Sequence, residues 1–496
     1  MNKAKNIRPM RNRFEQQYVI GHRSIKDTPI NLKHKDKLEE LIAALKAIYC
    51  NDGYNQRLFA VLEHHLMEGK KKTGRKGMDL WCIFVLSQVR LCLNINYELV
   101  HNLANNHLSM RWLMGIETEQ GFKRTEFSYQ NIYDNVTLVD DQMVKEINFI
   151  VLEFGQGEVF KKKETAALRL KTDSFVVESN VHFPTDYNLL WDCLRKCTDT
   201  LCTCLDKYKS IKGWRKIKNW KRELKALMRE LGKTGASGGK GKEIRVKAAA
   251  CSYIAKAKGF YSKLEKQLPL LPIADEKDLG LVISLEYFME LLLKHINLVD
   301  RRIIKGETIP HAEKMFSIFE TYTEWVKKGK LRPGVELGKK LSITTDQFGL
   351  IVDYQVMDKQ QDRDIVIALA DRLLLVFKID SWSLDKGHWN KENKQLLQLE
   401  IPRVIMPKLG KRNNQEKEEE TSRPFKGLKN KHSAIESNIN ELESRGLDRC
   451  PDRGYAHFKT YIGLGVCAYN LKKIGAKRLE EEREKLKCQK SIKQAA

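Results

Sequence analysis

The chain has 496 residues, of which 31% are charged and 42% hydrophobic, and 89 Lys and Arg outweigh 64 Asp and Glu. This composition suits a globular protein of two to four domains and excludes a disordered chain. No uncharged apolar run approaches the ~20 residues of a membrane span, and the N-terminus lacks the apolar core of a signal peptide.

The formal net charge of +25 at pH 7 comes from basic residues along the whole length of the chain. Such a surplus favours a long polyanion, DNA or RNA, as the partner, with affinity that falls as salt rises. A generic basic protein or a ribosome-associated factor is the alternative. The eleven cysteines have no framework spacing and fit reduced thiols, so we expect a cytoplasmic protein.

The first third of the chain is expected to be helical. Residues 1–34 are predicted to form a basic arm, and residues 35–155 a helical domain. Its first helix has an apolar stripe at helical spacing, formed by Leu38, Leu41, Ile42 and Leu45. Residues 69–77 are a basic, glycine-rich turn, which suits either phosphate binding or a solvated linker.

A strand is predicted over residues 164–177, within a first core segment of 164–189. Residues 190–332 then form a long helical insertion, in which the glycine- and lysine-rich stretch 232–243 is the tip of a helical hairpin. Gly239-Lys240 does not continue a phosphate-binding loop, because Thr234 stands where that motif requires glycine.

The insertion contains two side-chain clusters with more than one interpretation. Tyr208, Trp214 and Trp220 alternate with lysines and arginines, which suits a DNA path, but packing in a helical core is the favoured alternative. A second cluster has the wrong spacing for a zinc site and favours small thiols on a helix: Cys193, Cys197, Cys202 and Cys204.

Sheet-forming sequence resumes after the insertion, and residues 333–475 are assigned to the remainder of the core. Gly349 suits the turn of a hairpin because it tolerates positive φ. The predicted elements are strands 336–345 and 350–357, helix 362–378, strand 379–385, helix 391–399, strand 403–407, a charged segment 408–431 and helix 431–443. Residues 476–496 are predicted to be a charged tail.

Three carboxylates stand where these elements could bring them together. Asp173 and Asp385 close strand-like runs, and Glu436 lies on the last of those helices. Taken singly, each is more often a strand-end cap or a solvated helix residue. Together, three such acids could hold a pair of divalent ions, the arrangement that serves phosphoryl transfer. Asp346 and Asp380 are weaker candidates, the first in a hairpin turn and the second inside a strand.

Seven short segments each resemble a different part of the sequence of one known family: 77–81, 103–107, 173–186, 316–325, 333–338, 385–393 and 432–449. This combination resembles the bacterial insertion-sequence transposases of the DDE type, and among them the ISNCY-like group, over roughly residues 35–470. The resemblance implies an α/β RNase H-like mixed-sheet core with a large helical insertion between its first and second strands, preceded by an all-α domain. It also implies cutting of DNA at the ends of a mobile element and joining of those ends to target DNA.

Residue by residue, the resemblance implies that Asp173 and Asp385 bridge or ligate two Mg²⁺ or Mn²⁺ ions and that Glu436 holds the second. Many related transposases carry a Tyr-Arg-Glu-Lys signature around the glutamate helix. At the matching offsets this chain has Lys429, His432 and Glu443, which leaves a His-for-Arg exchange. The DNA contacts near the site are expected from Lys386, His388, Lys426, Lys429 and His432. For His388, capping of the following segment is an equal alternative.

The partners implied are double-stranded DNA, as terminal repeats and as target, and a second copy of the chain. Residues 35–155 are expected to recognise the terminal repeats, and the protein to be nucleoid-associated. Two other functions stay open at this point. One is a catalytically silent DNA-binding regulator, and the other is a metal-dependent nuclease that hydrolyses DNA without joining strands.

Overall fold

The computed structural model describes residues 21–33, 36–69, 77–163, 166–327 and 334–495. The chain divides into two compact units, the first formed by residues 1–180 and 326–496 and the second by residues 181–325. Most of the basic arm and residues 70–76 of the basic turn lie outside the described residues. Among the described helices, none is both long enough and apolar enough to cross a membrane.

The described helices of the first unit are α1 (Lys37–Tyr49), α2 (Asp52–Met67), α3 (Leu80–Leu93), α4 (Tyr97–Asn106), α5 (Leu108–Leu113), α6 (Tyr129–Val136), α7 (Asp141–Phe154), α12 (Val366–Leu374), α13 (Lys391–Glu400), α14 (Asn414–Thr421), α15 (Arg423–His432), α16 (Ala434–Leu442) and α17 (Tyr455–Ala495). Those of the second unit are α8 (Asp186–Lys207), α9 (Ile217–Ala236), α10 (Lys242–Gln267) and α11 (Glu276–Val299). The strands are β1 (Leu168–Ser179), β2 (Glu324–Lys327), β3 (Val335–Thr345), β4 (Ile351–Val356), β5 (Ile379–Leu384), β6 (Arg403–Ile405) and β7 (Arg449–Cys450).

One mixed sheet forms the core of the first unit. Its strand order is β2-β3-β1-β5-β6, with β4 paired to β3 and β7 paired to β1. The pairs β1–β3 and β3–β4 are antiparallel, whereas β5 pairs parallel to β1 and β6 parallel to β5. This mixed sheet, with its many helices, is consistent with the expected α/β RNase H-like core.

The hairpin between β3 and β4 forms where the sequence predicts it. Asp346 Oδ1 accepts hydrogen bonds from the backbone amides of Phe348 and Leu350, at 2.8 and 3.0 Å. Gly349 has φ +79°, a conformation that favours glycine. The turn is therefore specified by residues 346–350, between the two strands that it joins.

The charged segment 408–431 folds into helices α14 and α15, which the sequence analysis did not predict. Asn413 and Glu416 form a reciprocal capping box that starts α14, and the Ser422 hydroxyl caps α15. Such caps satisfy the free amides of a first helical turn. Helix formation here depends on these caps, because α14 has no buried residue.

Helix α17 packs against the N-terminal helices of the first unit. It includes residues 476–495, which the sequence analysis assigned to a charged tail. It packs against α1, α3 and α7, so the N-terminal helices belong to the same compact unit as the sheet. Leu479 is 1% exposed, and Arg483 Nε donates to the Leu32 carbonyl at 2.9 Å. Residues just beyond 475 are therefore part of the packed helix.

The second unit is a helical bundle in which α8 packs against α11 and α9 against α10. Trp214 is buried, and its Nε1 donates to Gln267 Oε1 at 3.1 Å. Tyr208 donates to Asp278, and Lys256 Nζ lies 4.2 Å from the Trp220 ring centroid. Trp214 belongs to the core cluster of this unit and Trp220 packs against it, which confirms the packing interpretation for these two rings. Likewise, α8 buries three thiols: Cys193, Cys197 and Cys204.

The close approach of α1 and α17 gives a stability test. A Cβ atom added at Gly475 would lie 1.7 Å from the Glu40 carbonyl oxygen, so one of the two backbones must shift. We expect Gly475→Ala to lower the free energy of unfolding by roughly 3 kcal/mol. Gly427→Ala, inside α15 with open space around it, should be neutral or stabilising by up to ~1 kcal/mol. Urea unfolding measures both, and equal effects would contradict the proposed close contact.

Candidate active site

The register of the central strands brings two of the predicted acids side by side. Thr172 of β1 pairs with Leu384 of β5 in parallel, and the next residues along are Asp173 and Asp385. Neighbouring strands lie about 4.8 Å apart, and paired residues of parallel strands point to the same face. The two carboxylates therefore share one face at the end of β5.

A chain of hydrogen bonds that meets at Thr172, the residue before Asp173, fixes the register of these strands. Trp382 Nε1 donates to Thr172 Oγ1 at 2.8 Å, and the Thr172 and Thr344 hydroxyls are 2.7 Å apart. All three side chains are buried and belong to β5, β1 and β3. A slip of one residue would leave these polar groups without partners and would turn Asp173 to the other face.

Asp173 lies in an environment that disfavours its charge. Burial raises the pKa of Asp173 to about 6, and the nearby charges of Asp385, Asp362 and Glu436 add to the rise. The single hydrogen bond that its carboxylate accepts comes from the Ser174 amide, at 2.7 Å. The field around Asp173 shows that these four acids are close neighbours.

Asp385 and Glu436 reach this cluster from two further elements. Asp385 is exposed and precedes a 3₁₀ turn, Lys386–His388, in which its carbonyl accepts from the His388 amide at 3.1 Å. Glu436 is exposed on α16, a helix that packs on β1. The structure thus brings the three sequence-predicted acids together from a strand, a strand end and a helix.

Asp362 is a fourth acid at this place, and the sequence analysis missed it. Its Oδ1 accepts from the Ser174 hydroxyl at 2.6 Å, and its Oδ2 pairs with Lys340 Nζ at 2.7 Å. Although burial would raise the pKa of Asp362, Lys340 and Ser174 hold it below the usual range. In sequence, Asp362 stands at a predicted helix start, where an acid is an ordinary capping residue. No local signal separates those two roles.

The two rival acids have structural partners that explain them. Asp346 is fully buried, organises the β3–β4 turn and accepts from Gln156 Nε2 at 2.7 Å. Asp380 forms an ion pair with Arg403 between β5 and β6. Neither contributes to the environment of Asp173.

Among the described residues, neither ring nitrogen of His388 or of His432 has a hydrogen-bond partner, and both rings lie near the acids. Burial lowers the pKa of His432, opposed by the nearby Asp385 and Glu436. Burial likewise lowers the pKa of His388, opposed by Asp362 and Asp385. Unpartnered buried imidazole is costly in a folded protein, so these rings are available to a group that enters the site.

The three lysines predicted to contact DNA are all exposed. Lys386 follows Asp385 directly, while Lys426 and Lys429 are exposed on α15. Helix α15 packs on β5 and β6. Exposed cations therefore lie on the elements that carry or adjoin the acids.

The chemistry of the donor set fits divalent metal ions. Within the described ranges, Asp173, Asp385 and Glu436 have no ion pair with a Lys or Arg. Clustered carboxylates without a counter-charge are ligands that hard cations prefer. In those ranges, however, no three His, Cys, Asp or Glu side chains lie close enough together to bind one metal ion as they stand.

Residues 294–471 match the family model of the transposase DDE domain. This part of the chain is similar to a transposase DDE domain. The matched range includes Asp385 and Glu436 and begins well after Asp173, which lies on β1. The resemblance to insertion-sequence DDE transposases is confirmed, and transposase function in general is supported. Searches of curated proteins and of solved structures give no match.

The hydrogen-bond chain through Thr172 gives a prediction for the stability of the protein. Thr172→Val keeps the shape but removes the acceptor for Trp382 and the partner of Thr344. We expect the free energy of unfolding to fall by about 1–3 kcal/mol, the usual penalty for buried groups left unsatisfied. Thr421→Val, at an exposed hydroxyl bonded to its own helix, is the matched control and should change stability by less than ~0.5 kcal/mol.

The raised pKa of Asp173 predicts a pH-dependent stability. The folded protein protonates this carboxyl below about pH 6, whereas the unfolded chain does so near pH ~4. The folded state therefore binds more protons in that window, and the free energy of unfolding falls as the pH rises through it. Asp173→Asn should raise the free energy of unfolding by roughly 2 kcal/mol at pH 7 without metal, and change it little at pH 4.

Chemical denaturation at both pH values, in a chelating buffer, measures the effect of Asp173→Asn. Asp380→Asn removes a carboxylate from the adjacent strand, where it is paired with Arg403, and should not stabilise the protein at either pH. An Asp173→Asn variant that is less stable than wild type at pH 7 would contradict the electrostatic argument.

Proposed function

We propose that this protein is the transposase of a bacterial insertion sequence. It would cut DNA at the element's ends and join the freed 3′-hydroxyl to target DNA. The observation that carries the proposal is the uncompensated acid cluster at the point where β1 and β5 place Asp173 beside Asp385, with Glu436 above from α16. The matched DDE domain supplies the class of reaction.

In the proposed mechanism, Asp173, Asp385 and Glu436 would hold two divalent ions, Mg²⁺ or Mn²⁺. When bound, such ions activate an oxygen nucleophile and stabilise the leaving oxygen of an in-line displacement. The protein itself supplies negative charge at fixed positions, because the sheet register holds two of the three carboxylates. Because the pKa of Asp173 is raised, a proton would compete with the cation for this carboxylate more strongly than at an ordinary aspartate.

Asp362 would act as a positioning residue for Asp173. Its carboxylate ties Ser174, the residue after Asp173, to Lys340 on β3. This link fixes the backbone that presents Asp173, and Lys340 keeps Asp362 ionised. Asp362 therefore stays negatively charged beside Asp173, with Lys340 rather than a metal ion as its counter-charge.

Buried His388, half-buried His432 and the exposed lysines would hold the DNA. His432 stands where related transposases have arginine, and its unpartnered ring nitrogens could donate to a phosphate oxygen or a displaced base. Lys386, Lys426 and Lys429 would neutralise the neighbouring phosphates. We also propose that residues 35–155 recognise the terminal repeats, that the protein acts as at least a dimer on two DNA ends, and that it falls within the ISNCY-like group.

Strand cleavage tests the proposal directly. On labelled duplex DNA carrying the element's own end, wild type with Mg²⁺ or Mn²⁺ should nick at the end. Asp385→Asn should reduce the rate at least about 10²-fold, because it removes a charged group at the reacting centre, while DNA binding in chelator stays unchanged. Asp371→Asn changes an exposed acid on α12 and should keep wild-type cleavage.

The same reaction separates the alternatives. Joined products that contain target DNA identify a transposase, whereas nicked ends without joining identify a nuclease. DNA binding with no cleavage by wild type, in either metal, would identify a DNA-binding regulator and would overturn the proposal.

A further inference from the structure

Helix α9 of the second unit carries five cations along a single side. They follow one another at intervals of four, three, four and four residues, and all are exposed: Lys218, Arg222, Lys225, Arg229 and Lys233. At 3.6 residues per turn these positions fall within an arc of roughly 80°, over about 22 Å of helix. We call this set the α9 stripe.

The packing of α9 fixes the direction in which the stripe points. Ile217, Leu224 and Leu231 are buried in the core of the second unit. By helical spacing, Leu224 and Leu231 lie on the side of α9 opposite the stripe. The stripe therefore faces away from the core of its own unit.

Few groups within the second unit compete for these charges. The two acids of α9, Glu223 and Glu230, lie off the stripe by helical spacing, and Glu223 pairs with Lys256. No carboxylate in residues 181–325 forms an ion pair with a stripe residue. Lys225 Nζ lies 5.9 Å from the Trp191 ring centroid, and Arg222 contacts Asn219 Oδ1 at 3.4 Å. Neither contact neutralises a charge.

The stripe lies in the most basic part of the chain. Residues 207–266 contain 19 Lys and Arg but only 4 Asp and Glu, a net +15 out of the total of +25. The basic surplus runs along the whole chain, yet it is concentrated here. A solvated helix face that serves only solubility usually mixes both signs, whereas the stripe has one.

We propose that the α9 stripe binds the phosphate backbone of duplex DNA without reading its sequence. B-DNA presents a negative charge every ~1.7 Å of its axis, and a straight row of cations about 22 Å long complements such a rod. Lys and Arg at regular spacing suit phosphate contacts, which position a protein but carry no sequence information. This inference rests on the proposed function, which supplies DNA as the substrate.

Salt dependence of binding tests the proposal with the full chain. The probe is a blunt duplex of about 30 base pairs, unrelated to any element end, in a chelating buffer that prevents cleavage. Each phosphate contact contributes about 0.9 to the slope of log K against log salt. The triple variant Lys225→Gln, Arg229→Gln, Lys233→Gln should therefore lower that slope by about 2.7.

Two matched variants separate the stripe from general charge. Lys242, Lys258 and Lys266 are exposed on α10, and changing all three to Gln removes the same charge from the same unit. The slope for that control should differ from the wild-type slope by no more than about 0.9, the contribution of one phosphate contact. The charge-preserving variant Lys225→Arg, Arg229→Lys, Lys233→Arg should keep it fully, which excludes a folding defect as the cause.

Three results would overturn the proposal. The first is an equal fall in slope for the α9 and α10 variants, which would mean diffuse attraction. The second is no fall for the α9 variant. The third is RNA that binds more tightly than duplex DNA through the same stripe residues. Because cleavage plays no part in this measurement, a failure of the proposed transposase reaction would not be confused with a failure of the stripe.

Discussion

The active-site geometry depends on one buried hydrogen-bond chain, from Trp382 through Thr172 to Thr344. It crosses three neighbouring strands: Thr172 is paired with Thr344, whereas Trp382 is paired with Leu170 and its side chain reaches Thr172, two residues further along β1. A hydrophobic strand can in principle slip in register, but buried polar groups that must meet across strands allow one alignment only. That alignment places Asp173 beside Asp385, although 212 positions separate them in sequence. The polar chain in the core therefore determines the chemistry at the surface.

The same alignment places the Asp173 carboxylate where burial and neighbouring acids disfavour its negative charge. Asp173 is mostly buried among other acids, in a protein whose overall charge is strongly positive. Lys340 compensates only Asp362, and the basic side chains of α15 stay at exposed positions. An electrostatic cost of this kind is typical of sites that become stable when a ligand or a metal enters. Ionisation of Asp173 therefore opposes folding.

Sequence reasoning succeeded where the determinants are local. The hairpin around Gly349, the strand that ends before Asp385 and the helix that carries Glu436 are each encoded within about a dozen residues. It failed where the determinants are distant in sequence. Asp362 looks like a helix cap, and only the packing of β1 against β3 shows its link to Ser174 and Lys340. The charged segment 408–431 lacks apolar periodicity: α14 has a cap but no buried residue, and α15 buries Phe425 alone.

The long separation between β1 and β3 has a consequence for biosynthesis. Strand β1 leaves the ribosome complete at Ser179, but its partner β3 begins only at Val335. At 5–20 residues per second, β1 waits on the order of ten seconds or more for its first neighbour. During that delay its backbone edges are open to other chains. Glu436 follows later still, so the three acids can come together only after residue 436 has been made.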